Sequence, residues 1–233
     1  MDSSRTIVFF AGRDNWEKDQ ELNQIIVKFL VENNIEIRWE DPAENLLFKF
    51  RFLEKHFNWL PPFFKRNRRK IVQLTYGIFN WSYLNYYFNF YYNNYSGKSN
   101  KTIDFRTKKL KESVLNLGNK KDIIVLARSS GGRFISSVAD ELKLKQIICL
   151  GYPFKHTKMP DEPSRYLHLR NLKTPMLIIQ GEHDEYGGIE SKDKYELSSK
   201  VKLEFINTDH DFNINNDTWN YVLNRIKDII FLN

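Results

Sequence analysis

Three short segments carry side chains that could do chemistry together: Ala127-Arg128-Ser129-Ser130-Gly131-Gly132, Gln180-Gly181-Glu182-His183-Asp184 and Thr208-Asp209-His210-Asp211-Phe212. A serine hydroxyl is a weak nucleophile at neutral pH. It needs a base within hydrogen-bond reach to take its proton as it attacks, and a histidine oriented by a carboxylate is such a base. Ser129 is read as the nucleophile because Ala127 and Gly131 flank it where a sharp strand-to-helix turn leaves room only for small residues. Ser130 is the competing hydroxyl, but an elbow centred on it would put Arg128 at the first flank. Its backbone N–H is assigned to the oxyanion hole instead. Asp184 is read as the acid, with Glu182 and Glu185 as alternatives, and His210 as the base. His56, His156, His168 and His183 lack that setting, no spacing among them makes a metal site, and the chemistry calls for no cofactor.

Each of these segments follows an apolar run of strand length: Asp122 to Leu126, Pro175 to Ile179 and Val201 to Ile206. Thr6 to Phe10 is a fourth such run, ending at Ala11-Gly12. The loop Ala11-Gly12-Arg13-Asp14 is expected to supply the second oxyanion donor, with Gly12 giving the backbone freedom and the N–H of Arg13 donating. Ile35 to Trp39 and Gln146 to Leu150 complete six strands. Helices are expected from Asp14 or Asn15 to Asn33-Asn34, from Thr107 to Leu117, Gly131 to Leu142, Ile189 to Ser199 and Asn216 to Phe231. Alternating strands and helices predict an α/β protein with a mostly parallel sheet covered on both faces.

One stretch interrupts the alternation. Ala43 to Asn100 holds about half of the chain's aromatic residues and reads as an inserted cap, at about residues 43–100. Two helices fit it, from Pro42 to about Trp59 and from about Asn67 to Tyr92, with Pro61-Pro62 breaking between them. Asparagines at 80, 85, 89 and 93 make it too polar for a membrane span. An insertion after the second strand should emerge near the carboxyl ends of the strands, so its aromatics are expected to roof the nucleophile and favour an apolar acyl or aromatic substrate. The rival reading is that they build the insertion's own core. The run Lys65-Arg66-Asn67-Arg68-Arg69-Lys70 is either a solvated helix end or a contact for an anionic membrane surface. Nucleic-acid binding is the weaker option, because no recognisable module surrounds the run.

Composition sets the frame. With 233 residues, 41% of them hydrophobic, the chain can bury one substantial core, and a single domain is expected. A formal net charge of +7 is explained most simply by solubility. Met1 to Arg5 lacks the layout of a secretory leader, which predicts a cytoplasmic location. The one cysteine, Cys149, sits among Ile147, Ile148 and Leu150 and reads as a small core residue.

The segments A-R-S-S-G-G-R at 127 to 133, L-G-Y-P-F at 150 to 154, L-x-x-L-x-x-P-M-L-I-I-Q-G-E-H-D from Leu169 to Asp184 and D-H-D-F at 209 to 212 resemble the small dienelactone-hydrolase-like branch of the α/β-hydrolases. That branch carries a G-R-S-x-G-G-R elbow and a Y-P segment. The resemblance extends from about Lys121 to the end, and before it only the first strand and Ala11-Gly12 match the branch's H-G-x-G loop. Ala11 replaces the histidine of that loop, and the aromatic insertion has no counterpart there. The chain also resembles the retinoblastoma-binding serine hydrolases, another compact branch beginning at an equivalent strand. The resemblance implies a compact α/β-hydrolase fold with a Ser129-His210-Asp184 triad, acting on an ester or thioester through an acyl-enzyme. The opposing expectation is a hydrolase-fold interaction protein that has lost its chemistry and binds a membrane surface or partner through the basic, aromatic insertion.

Overall fold

The computed structural model describes residues 6–12, 20–43, 46–47, 62–85, 88, 99–118 and 122–231. The chain divides into two compact units, one formed by Met1–Glu40 with Lys109–Asn233 and the other by Asp41–Lys108.

The first unit is built on a six-stranded, wholly parallel sheet: β1 (Thr6–Ala11), β2 (Glu36–Trp39), β3 (Asp122–Arg128), β4 (Leu144–Leu150), β5 (Met176–Gly181) and β6 (Val201–Ile206), in the spatial order β2-β1-β3-β4-β5-β6. Every residue of β1 and β5 is buried, as the uninterrupted apolar runs of a strand covered on both faces require. β1 has β2 on one side and β3 on the other, so the strand order reverses between β1 and β3. In open α/β sheets that switch point is where ligand sites form, beyond the carboxyl ends of the strands. Here the register pairs Ala11 with Ala127, which sets the loop after β1 beside the turn that carries Ser129.

The helices follow the apolar periodicity. In α1 (Gln20–Glu32), Leu22, Ile26, Val27 and Leu30 face inward. Asn34 ends the helix at φ 56°, with Ile35 N–H donating to Leu30 O and Asn34 N–H to Val31 O, a left-handed cap that turns the chain into β2. The helix at Asn216–Phe231 buries Trp219, Val222, Ile226, Ile229 and Ile230.

Three expected helices are altered. The one expected from Thr107 starts at Ser99 and runs to Leu115, since neither proline nor glycine interrupts those residues. The one expected from Gly131 to Leu142 is α-helical over Ser130–Val138 and tightens into a 3-10 turn at Ala139–Glu141. The one expected from Ile189 to Ser199 reduces to four residues, Ser191–Lys194. There Tyr195 leaves the helix to stack on Phe154, with centroids 4.8 Å apart, and Ser198 is tied to the preceding loop, its N–H donating to Leu169 O and its hydroxyl to Leu172 O.

In the second unit Pro62–Phe79 is a helix whose first residue, proline, suits a position with no N–H to satisfy. The single helix expected from Asn67 to Tyr92 therefore begins earlier and breaks at Asn80, whose side chain accepts the Tyr83 N–H at 3.1 Å and caps a new helical turn over 81–85. Asp41 organises this unit. Its carboxylate accepts from Ala43 N–H at 2.9 Å, Gln73 Nε2 at 3.0 Å and the Tyr83 hydroxyl at 3.2 Å. The helix expected from Pro42 to Trp59 and the aromatics from Tyr86 onward fall mostly outside the described residues.

Candidate active site

The elbow is strained where a nucleophile would stand. Ser129 has φ 50° and ψ −120°, a conformation that L-residues avoid and that survives only where its surroundings impose it. Those surroundings are close. A Cβ on Gly131 would lie 2.2 Å from Ala11 O and 2.6 Å from Gly12 O, so the first turn of the helix at Ser130–Val138 packs directly on the backbone after β1. A Cβ on Gly132 would lie 2.3 Å from the Cys149 Sγ, so the same turn also packs closely on β4. Ser129 occupies the N-cap of that helix yet makes no cap hydrogen bond with its side chain. Its hydroxyl lies instead 2.9 Å from His210 Nε2.

His210 Nδ1 lies 2.7 Å from Asp184 Oδ2. A neutral imidazole carrying its proton on Nδ1 satisfies both contacts, donating to the carboxylate and accepting from the serine. The loops that carry the acid and the base are joined through their backbones: Glu182 N–H donates to Ile206 O at 2.9 Å and His183 N–H to Thr208 O at 3.0 Å. Gly181 allows this approach, since a Cβ there would lie 2.5 Å from Thr208 O. The tight turn that follows, closed by Asp184 N–H on Gly181 O, aims Asp184 rather than Glu182 or Glu185 at the imidazole. Ser129, Asp184 and His210 are all buried.

Four residues that sequence reading passed over support these three. Gln180 is fully buried, and its Nε2 donates to Asp184 Oδ2 at 2.8 Å and to Gly187 O at 2.7 Å while its Oε1 accepts the Tyr152 N–H at 2.7 Å. Tyr186 donates its N–H to Asp184 Oδ1 at 2.8 Å and lays its ring over His210, with centroids 4.5 Å apart. Arg128, also buried, donates to Leu150 O at 2.8 Å and to His210 O, and its guanidinium lies 5.0 Å from the centre of the Phe212 ring. It thereby fastens the histidine loop to the end of β4. Glu40, buried after β2, accepts the Gly12 N–H on Oε2 at 3.2 Å. A clue was present for Gln180, since a fully polar amide at the end of an apolar strand needs partners.

Of the expected oxyanion donors, Ser130 is the first residue of the helix after the elbow. The Gly12 N–H is committed to the Glu40 carboxylate in this conformation, and Arg13 lies outside the described residues. Cys149 is fully buried, and burial pushes its thiol up to about 12, which removes it as a nucleophile. His168 belongs to a separate cluster, with Nε2 2.8 Å from the Ser136 hydroxyl. Burial first, and then the Arg133 charge, lower its pKa to about 4. Among the described residues no group of three His, Cys, Asp or Glu is placed to hold a metal ion.

The α/β hydrolase domain model matches residues 64–229, and the chain belongs to this family. Among solved structures it is similar to one from work on LipS and LipT, two metagenome-derived lipolytic enzymes, with a TM-score of 0.57, 10% identity, and coverage of 98% of this chain and 94% of that one. A Xanthomonas campestris pv. campestris protein assigned to the alpha/beta hydrolase superfamily superposes with a TM-score of 0.51 at 11% identity, over 96% of this chain and 98% of that one. At these identities the likeness is one of fold. No curated protein matches the sequence.

Proposed function

We propose that the protein is a serine hydrolase that cleaves an ester or thioester through an acyl-enzyme. The observation that carries the reading is the continuous chain from Ser129 Oγ to His210 Nε2, at 2.9 Å, and from His210 Nδ1 to Asp184 Oδ2, at 2.7 Å, formed above a strained elbow. In this reading the Ser129 oxygen attacks the acyl carbon as its proton passes to His210 Nε2, and Asp184 stabilises the imidazolium. The oxyanion is held by the Ser130 N–H and by the loop after β1, through Arg13 with Gly12 giving the backbone its freedom. Collapse expels the alcohol or thiol, which takes its proton from Nε2. Water then repeats the sequence, giving up its proton to His210, and frees the acid and Ser129.

The dienelactone-hydrolase-like branch is the proposed relationship within the family, on the strength of the Arg128, Gly131, Gly132, Arg133 and Tyr152-Pro153 matches. The proposed substrate carries an apolar acyl chain or an aromatic group, a choice supported by the aromatic content of the insertion at about 43–100. A cytoplasmic location and a single hydrolase domain with that insertion belong to the same proposal. The test is labelling by a fluorophosphonate together with turnover of p-nitrophenyl esters of graded length. Ser129→Ala and His210→Ala should each remove on the order of 10⁴-fold or more in kcat. Equal labelling of Ser129→Ala and the parent would sink the assignment, and a hydrolase-fold binding protein without chemistry would then be the better reading.

A further inference from the structure

The charge of this chain is segregated. From Pro61 to Ile103 there is no Asp or Glu, and the seven Lys and Arg of that stretch (Lys65, Arg66, Arg68, Arg69, Lys70, Lys98 and Lys101) equal the whole formal net charge of +7. The remainder of the chain therefore sums to zero, so solubility spread over the whole surface does not account for the excess.

The same unit exposes large apolar side chains. In the helix at Pro62–Phe79, Val72 and Gln73 are buried, and the bond from Gln73 to Asp41 sets that face inward. The opposite ridge, Lys70, Leu74 and Ile78 at intervals of four, is exposed. Ile78 is 75% exposed, Phe79 86% and, just beyond the helix, Trp81 79%. An ordinary surface helix turns its polar residues out, whereas this one holds a glutamine in and presents Leu74, Ile78 and Phe79 to water. Exposed apolar patches of this kind mark contact surfaces.

We propose that this unit docks on the surface of an anionic phospholipid bilayer. The positive charge draws it to acidic headgroups, and Leu74, Ile78, Phe79 and Trp81 enter the boundary between headgroups and acyl chains. Tryptophan suits that boundary, with an apolar body and one polar N–H. Single-stranded nucleic acid fits less well, because bases stack on aromatic faces and the branched chains of Leu74 and Ile78 offer none. Among the described residues no helix is long and apolar enough to cross a membrane, so the helix lies on the surface. The proposal is independent of the triad and stands or falls separately from it.

The experiment is co-sedimentation of the full chain with vesicles of phosphatidylcholine alone or with about 30 mol% phosphatidylserine, at ionic strengths of about 0.1 M and 0.5 M. Binding should be at least about tenfold stronger to the anionic vesicles and should weaken at the higher salt. A double substitution, Ile78→Asp with Trp81→Asp, should lower binding by at least about tenfold, and so should Arg68→Glu with Lys70→Glu. Thermal unfolding equal to the parent's shows that these variants fold, and a single Ile78→Ser substitution, expected to weaken binding in the same direction, serves if a double variant does not. Absence of binding to anionic vesicles, equal binding to neutral ones, or folded variants that bind as the parent does would each overturn the proposal. Capture of an oligouridine RNA without vesicle binding would overturn it in favour of nucleic acid.

Discussion

Replacing Gly131 with alanine tests how closely the elbow is set against the loop after β1. The added methyl would stand 2.2 Å from Ala11 O and 2.6 Å from Gly12 O, both backbone atoms that cannot rotate aside. Carbon and carbonyl oxygen do not approach closer than about 3 Å, so the contact has to open by about 0.8 Å. Either the helix at Ser130–Val138 lifts from β1 or the β1 loop retreats. Both movements separate Ser129 and the Ser130 N–H from the loop expected to complete the oxyanion hole. Overpacking of this kind costs about 1–3 kcal/mol, which lowers Tm by about 2–12 °C for a chain of this length. A displacement near 1 Å at reacting groups costs on the order of 10²-fold in kcat. Thermal unfolding and p-nitrophenyl ester kinetics on Gly131→Ala measure the two effects. Gly118→Ala is the control: Gly118 has φ 80° with nothing within 4 Å of its would-be Cβ, so about 1–2 kcal/mol of stability should be lost and turnover kept. A Gly131→Ala protein with the parent's Tm and kcat would refute the close-approach argument.

Gln180→Met removes the donor to Asp184 Oδ2 and leaves the buried Tyr152 N–H without its acceptor, so a loss of about 1–3 kcal/mol is expected in urea unfolding. If Gln180 also aims the acid, kcat falls on the order of tenfold while KM holds, and an unchanged kcat would reduce it to a structural role. The lowered pKa of His168 makes stability depend on pH. Its folded value of about 4 lies below the ordinary 6.5, so the unfolded chain binds the proton more readily; the stabilisation is complete above pH 6.5 and is lost as pH falls toward 4. The full effect is on the order of 3 kcal/mol, and His168→Gln should flatten unfolding free energies across that window; an equal slope in the variant would contradict this. Cys149 should resist iodoacetamide at pH 8 until the protein is unfolded, since its thiol is buried and pushed up to about 12. Rapid labelling of the native protein, followed by mass spectrometry, would refute that burial.

Sequence alone determined the six strands, their alternation with helices and the placing of a serine, an acid and a histidine at strand ends. These features depend on short-range patterns: apolar runs of strand length, small residues around a sharp turn, and helical spacing of leucine and isoleucine. What tertiary structure decided involves residues far apart in the chain. Asp184 rather than Glu182 or Glu185 meets His210 because Gly181 lets the loop after β5 close on Thr208, more than twenty residues onward. The Gly12 N–H is taken by Glu40, at the end of the neighbouring strand, which no reading of the loop itself could show. The helix expected to reach Ser199 stops at Lys194 because Tyr195 gains a ring partner in Phe154 and Ser198 gains backbone partners in Leu169 and Leu172. Local propensity favoured the longer helix, and burial of an aromatic ring outweighed it. The outward face of the helix at Pro62–Phe79 was likewise settled at a distance, by the hydrogen bond from Gln73 to Asp41, which turns a polar residue in and leaves Leu74 and Ile78 exposed.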